Sequence, residues 1–167
     1  MSHTNLFSNS RRTLLAIAAV AALSGCATPP SPNTVSSTIA NTPALNTFYD
    51  LASKSGLIDT LNGPGPFTVF APTNDAFKAV PAKTMTELSQ DPAKLKAVMT
   101  YHVVSGKVMA KDVKNSNAKT LNGANAALAK AGDFVTIESA AVTQADLASG
   151  NGVVHIVDGV LLPPVKK

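Results

Sequence analysis

The pattern of apolar and polar positions predicts one domain in which most helices precede most strands. Four apolar residues recur at the spacing of one helix face: Leu45, Phe48, Tyr49 and Ala52. They predict an amphipathic helix, and Gly56 follows where a left-handed C-terminal residue belongs. Residues 67–71 then carry large apolar side chains on both faces, which predicts a strand that is buried on both sides.

Later segments add two helix starts and several strands. Thr73 can cap a short helix, and Asp91-Pro92 begins a second one. Strands are predicted at 101–104, at 134–137 and, as a long terminal strand, at 153–162. Because helices gather early and strands late, the order favours an α+β fold over a wound parallel sheet.

The first 25 residues have the pattern of a secretory signal. Arg11 and Arg12 precede an apolar run of ten residues, 14–23, whereas a spanning helix needs about 20. An uncleaved N-terminal anchor is the alternative, and the short run argues against it. Leu-Ser-Gly-Cys at 23–26 resembles the bacterial lipobox, which implies that Cys26 is acylated, as by palmitate, and becomes the first residue of the mature chain.

The residues around the cysteine bear on export and sorting. Residues 27–33 contain three prolines and no apolar period, so 26–33 is predicted to be a lipidated tether that carries a domain at 34–167. Residues 10–15 resemble a twin-arginine export signal, and an ordinary Sec signal with two arginines is the favoured alternative. The residue after the cysteine is Ala27, and this resembles lipoproteins that two-membrane bacteria sort to the outer membrane. The resemblance implies an outer-membrane lipoprotein whose domain faces the periplasm or the cell surface.

Charge and cysteine content exclude several classes of protein. Both arginines lie in the signal, so the mature chain has 12 lysines against 10 acids and no arginine to read phosphates or guanines. We therefore expect no nucleic-acid partner. Cys26 is the single cysteine, so no intramolecular disulfide can form and the core alone must hold a domain expected to be monomeric.

Three segments together resemble the fasciclin domain family: Gly65–Phe77, Tyr101–Val104 and Asn151–Pro163. The resemblance runs from about residue 34 to 163 and implies a β-wedge of two twisted sheets with helices packed along one side. The alanine-rich stretch 124–131 departs from the family's strand alternation, so an irregular hairpin is expected there. The resemblance also implies adhesion to a surface, matrix or host component, and no enzymatic activity.

The resemblance further suggests where a partner would bind. In animal members a tyrosine-histidine motif, matched here by Tyr101 and His102, and an Asp–Ile pair, matched by Asp146 and Leu147, have been tied to integrin binding. The residues beside Asp146 do not reproduce the animal motifs. What carries over is a binding module for an unidentified surface protein or polysaccharide, with Asp146 and Leu147 expected near the surface.

A structural role is the alternative to a binding role for the tyrosine-histidine motif. As neighbours in a predicted strand, Tyr101 and His102 would face opposite ways, so one must be internal, and we expect His102 to be buried and hydrogen-bonded.

No Gly-x-Ser-x-Gly elbow is present, and the spacing of His155 and Asp158 argues against a catalytic dyad. Neither a metal nor a cofactor is expected. An accessory envelope protein that scaffolds other surface components is the alternative function.

Overall fold

The computed structural model describes residues 33–164, so the predicted signal peptide, Cys26 and most of the tether lie outside the described residues. Six α-helices occupy this part of the chain: α1 Val35–Ala40, α2 Asn46–Lys54, α3 Leu57–Leu61, α4 Asn74–Ala79, α5 Ala82–Gln90 and α6 Pro92–Tyr101. A short 3-10 helix, Pro43–Leu45, precedes α2.

Seven strands form one mixed sheet in the order β2-β1-β7-β6-β5-β4-β3. They are β1 Phe67–Pro72, β2 Val103–Ser105, β3 Ser116–Lys119, β4 Asn125–Ala131, β5 Phe134–Ile137, β6 Ala140–Ser149 and β7 Gly152–Val157. The long, bulged β6 pairs with β7 on one side and β5 on the other, so it belongs to both halves of the sheet. A single bridge between Val104 and Thr120 nearly closes the sheet, and the helices cover one half, which confirms the predicted α+β wedge.

The predicted helix signals act as expected. Thr73 accepts a hydrogen bond from the Ala76 N–H, and Asp91 caps α6 by accepting from two backbone N–H groups. Gly56 adopts a φ of 72° between α2 and α3. Three helices carried no clear signal in the sequence: α1, α3 and α5, of which the first two have only six and five residues.

The structure corrects three expectations about strands. The strand predicted at 101–104 begins only at Val103, because α6 continues to Tyr101 and His102 is its C-cap. The terminal strand ends at Val157 and not at Leu162. Residues 125–131 form a regular strand with alternating burial, so the expected irregular hairpin is wrong. Alanine occupies both faces of β4, which hides the alternation in the sequence.

Two apolar clusters form the core, one on each face of the central strands. Val69 and Ala71 of β1 pack with the helices, whereas Phe70 packs with β4 and β5 inside the wedge. This arrangement confirms that β1 is buried on both sides. The helices therefore close one face of the sheet, and the second half of the sheet closes the other.

The first and last segments that resemble the fasciclin family meet as parallel strands. β1 pairs with β7 in the register Phe67↔Gly152 to Pro72↔Val157. A Cβ on Gly152 would lie 2.2 Å from the Phe67 carbonyl oxygen, so the close pairing requires glycine. Beside it, Asn151 donates to the carbonyls of Leu61 and Gly63, which ties this end of the sheet to α3.

Candidate functional site

His102 is fully buried at the end of α6, and both of its ring nitrogens are hydrogen-bonded. The Leu161 N–H donates to Nε2 at 3.0 Å, so Nδ1 carries the proton and donates to the Val98 carbonyl at 2.8 Å. The ring also packs against Phe48, with ring centroids 5.8 Å apart. The imidazole thus joins α2, α6 and the segment after β7.

Burial sets the charge of this histidine. Loss of hydration lowers the pKa of His102 to about 4, opposed only in part by its bond to the Val98 carbonyl. The ring is therefore neutral near pH 7. A buried, neutral imidazole with both nitrogens occupied presents no free atom to a partner or substrate, so the expected burial of His102 is confirmed.

Tyr101 is also buried and points into the other cluster of the core. Its hydroxyl lies 3.0 Å from the Glu138 carboxylate and 3.2 Å from the Asn125 carbonyl. Burial, together with the hydrogen bond and negative charge of Glu138, raises the pKa of Tyr101 to about 12. The two residues of the motif therefore face opposite cores, and each connects α6 to a different part of the fold.

Asp146 and His155 form a second polar network, in the bulged part of β6. Asp146 has a φ of 60°, and its N–H donates to His155 Nδ1 at 3.2 Å. The other ring nitrogen, Nε2, then donates to the Val108 carbonyl at 2.9 Å. The Asp146 carboxylate accepts from the Ala110 N–H at 2.8 Å. Burial lowers the pKa of His155, so this ring too is neutral near pH 7.

The network fastens the loop between β2 and β3 onto the sheet. Thr68, buried in β1, donates to the Gly106 carbonyl at 2.7 Å and accepts from the Val108 N–H at 2.9 Å. Sequence reasoning missed Thr68, although a lone polar residue in an otherwise apolar strand was the available signal. Asp146 and Leu147 are half-buried, and Leu147 packs on the core beneath the helices.

The structure thus separates the four residues suggested for binding. Tyr101 and His102 are interior, and Asp146 lies in the β6 bulge beside the 106–110 loop. Within residues 33–164, no three His, Cys, Asp or Glu side chains are close enough to hold a metal ion. No helix in that range is long and apolar enough to cross a membrane.

Residues 43–163 match the family model described as the fasciclin domain. This chain belongs to the fasciclin domain family. The match covers both paired segments and the tyrosine-histidine motif between them, so the geometry above is that of a fasciclin domain. Proteins of this family are associated with cell adhesion and the cell surface.

Two of the relatives are bacterial proteins. Protein sll1483 of Synechocystis is 37% identical over 134 residues, covering 79% of this chain and 74% of that protein. The cell surface glycolipoprotein MPB83 of Mycobacterium bovis is 34% identical over 137 residues. That match covers 79% of this chain but 61% of MPB83, so the chain spans less than two thirds of it.

A solved structure shares the fold. The FAS1 domain pair of the insect cell adhesion molecule fasciclin I superposes with a TM-score of 0.63 at 19% identity. The match covers 80% of this chain and 52% of the domain pair. At this identity the likeness shows the fold alone.

Replacing Asp146 tests whether this residue holds the loop of the fasciclin domain. Asp146→Ala removes the acceptor of the Ala110 N–H and leaves alanine at a positive φ, so we expect unfolding free energy to fall by about 1–3 kcal/mol. Asp146→Asn is the matched control, because asparagine keeps an acceptor oxygen and tolerates this backbone conformation. Chemical denaturation measures both. Equal stability of Asp146→Ala and the parent would contradict the structural role.

Proposed function

We propose that this chain is a lipid-anchored binding module of the bacterial envelope, which mediates adhesion to a surface, matrix or host component. One observation carries the proposal: a fasciclin domain 34% identical to a cell surface glycolipoprotein follows a Leu-Ser-Gly-Cys sequence at 23–26 that resembles the bacterial lipobox. Ala27 after the cysteine supports sorting to the outer membrane. The partner is a surface protein or polysaccharide, and the module acts as a monomer.

The interior of the domain supports binding rather than catalysis. Both described histidines are buried and neutral, and their ring nitrogens hold backbone groups in place. Such groups position the chain but cannot exchange protons with a substrate unless the fold opens. The proposal therefore assigns this protein no enzymatic activity, and places recognition on the exposed surface.

The alternative function is that of an accessory envelope protein. A domain that faces the periplasm and scaffolds other components would have the same anchor and the same fold. Exposure to protease on whole cells separates the two functions. Digestion of the domain on intact cells supports adhesion, whereas protection until the outer membrane is opened supports the accessory role.

The anchor itself gives a direct prediction. Wild-type protein should incorporate labelled palmitate, and its mature chain should begin at Cys26, whereas Cys26→Ser should incorporate none. Ser24→Ala is the control, since a small residue before the cysteine should preserve processing. Equal labelling of wild type and Cys26→Ser, or a mature terminus elsewhere, would contradict the proposed anchor.

A further inference from the structure

The two end strands of the sheet, β2 and β3, meet at a single bridge between Val104 and Thr120. β2 ends one residue after this bridge, at Ser105, and Gly106, with a φ of 105°, turns the chain out of the sheet. β3 extends from the bridge on the side where β2 has ended. In the described chain, residues 116–118 of β3 therefore have a neighbouring strand, β4, on one side only.

The hydrogen-bond pattern of β3 shows which backbone groups face this opening. The Thr120 N–H donates to the Ala124 carbonyl, so the register makes the even-numbered residues of β3 bond to β4. Asn117 lies opposite Ala127, whose N–H donates to Glu138 on the side of β5. The N–H and carbonyl of Asn117 therefore point away from β4 and into the opening. Such unpaired groups at a sheet edge are the ones with which an added strand pairs.

A cleft of about 300 Å³ lies along this open edge. One wall is β3, and the other is formed by residues 108 and 112–114 of the loop between β2 and β3. The buried residues Val104, Val113 and Leu128 make the floor of the cleft apolar. We call this space the edge cleft. It combines a free strand edge with apolar surface for a side chain, which is the arrangement that binds an extended peptide.

The polar networks described above hold the loop wall of the edge cleft in place. Thr68 of β1 accepts from the Val108 N–H, and His155 of β7 donates to the Val108 carbonyl. Asp146 of β6 accepts from the Ala110 N–H. These three side chains fix the loop without using the free edge of β3. A wall that is ordered before binding lowers the entropic cost of taking up a peptide.

The loop and β3 are the basic part of a domain that is otherwise acidic. Residues 106–119 contain four lysines and one acid, whereas the rest of 33–164 contains six lysines and nine acids. Lys114 lines the edge cleft from the loop and Lys119 lines it from β3, and Asp112 is the one acid among its lining residues. The charges along the cleft therefore favour a peptide with acidic side chains.

We propose that the edge cleft binds an extended acidic peptide of a partner protein as an added strand beside β3. The peptide would hydrogen-bond the N–H and carbonyl of Asn117, place alternate apolar side chains on the floor, and turn acidic side chains towards Lys114 and Lys119. The inference rests on the binding function proposed above and narrows the partner to a protein. A polysaccharide lacks the regular N–H and carbonyl groups that complete a sheet edge.

Peptide binding is tested on the purified full-length protein in detergent, with fluorescein-labelled Gly-Glu-Val-Glu-Val-Glu-Gly as the probe. We expect saturable binding in fluorescence anisotropy. By NMR, hydrogen exchange should slow at the Asn117 amide and stay unchanged at Ala118, whose N–H faces β4. Two control peptides carry N-methyl groups on alternate residues, the glutamates in one and the valines in the other. Only the set whose N–H groups face β3 should weaken binding, by about tenfold.

Variants of the protein locate the binding site. Lys114→Glu together with Lys119→Glu should weaken binding at least roughly fivefold, and Lys96→Glu on the exposed side of α6 should not. Asn117→Pro removes the N–H that faces the opening and none that bonds to β4, so it should weaken binding while the urea midpoint shows a folded domain. The methylated peptides keep the test decisive if Asn117→Pro does not fold.

Each other outcome overturns the proposed peptide site. No saturable binding at millimolar peptide, or binding without protection of Asn117, refutes the edge cleft as the site and leaves the proposed adhesion, measured by attachment of cells, intact. Equal binding of the two methylated peptides shows that charge alone is recognised, as for an anionic polysaccharide. Protection of Asn117 that grows with protein concentration in the absence of peptide assigns the edge to a second copy of the chain.

Discussion

We expect His102→Ala to lower the free energy of unfolding by about 3–5 kcal/mol. The substitution leaves the Leu161 N–H without its buried acceptor and removes the donor to the Val98 carbonyl. It also opens a cavity against Phe48 in the core. Urea denaturation followed by circular dichroism measures the change as a shift of the midpoint at constant slope.

The same experiment distinguishes a structural histidine from a binding one. Lys96→Ala, on the exposed side of α6, is the control and should leave the free energy of unfolding unchanged within about 0.5 kcal/mol. Any loss of adhesion by His102→Ala should then follow the loss of folded protein. A wild-type midpoint combined with lost adhesion would contradict the interior role of His102.

Acid should destabilise the domain between pH 6.5 and about 4. The pKa of His102 is lowered from 6.5 to about 4 by burial, so in this range the unfolded chain binds a proton that the folded chain excludes. The stabilisation is complete above pH 6.5 and is lost as the pH falls to about 4, for a total of about 3 kcal/mol. The lowered pKa of His155 contributes in the same direction.

A variant that does not titrate isolates this effect from the carboxylates. His102→Gln keeps an acceptor oxygen for the Leu161 N–H and has no proton to gain. We expect it to be less stable than the parent at pH 7, with a shallower decline of stability towards pH 4. Parallel stability curves for the two proteins would contradict the assignment of the acid sensitivity to His102.

The sequence predicted the fold well where a residue type has one local meaning. Thr73 and Asp91 cap helices as expected, Gly56 adopts its left-handed conformation, and the doubly apolar β1 is buried between β2 and β7. The strand predicted at 101–104 was placed too early because a short apolar segment fits both a helix and a strand. In α6 the apolar stripe continues through Val98 to Tyr101 and His102, yet four apolar or aromatic letters in a row also fit a strand.

The candidate site was harder to predict, because its partners are distant in the chain. His102 receives its hydrogen bond from Leu161, 59 residues away, and Asp146 holds a loop 36 residues before it. Backbone N–H and carbonyl groups, which carry no sequence signal, supply these contacts. Phe134 illustrates the reverse case, since an apolar letter in a strand predicts burial and only the hairpin register shows that it points outward.

The central claim is that this fasciclin domain acts in adhesion from a lipid anchor on the envelope. The most direct test compares attachment of four strains to matrix-coated plates: wild type, a deletion strain, and the deletion complemented with wild-type or Cys26→Ser protein. We expect attachment to fall on deletion and to return with the wild-type protein but not with an equal amount of folded Cys26→Ser. Unchanged attachment of the deletion strain, or full rescue by Cys26→Ser, would contradict the claim.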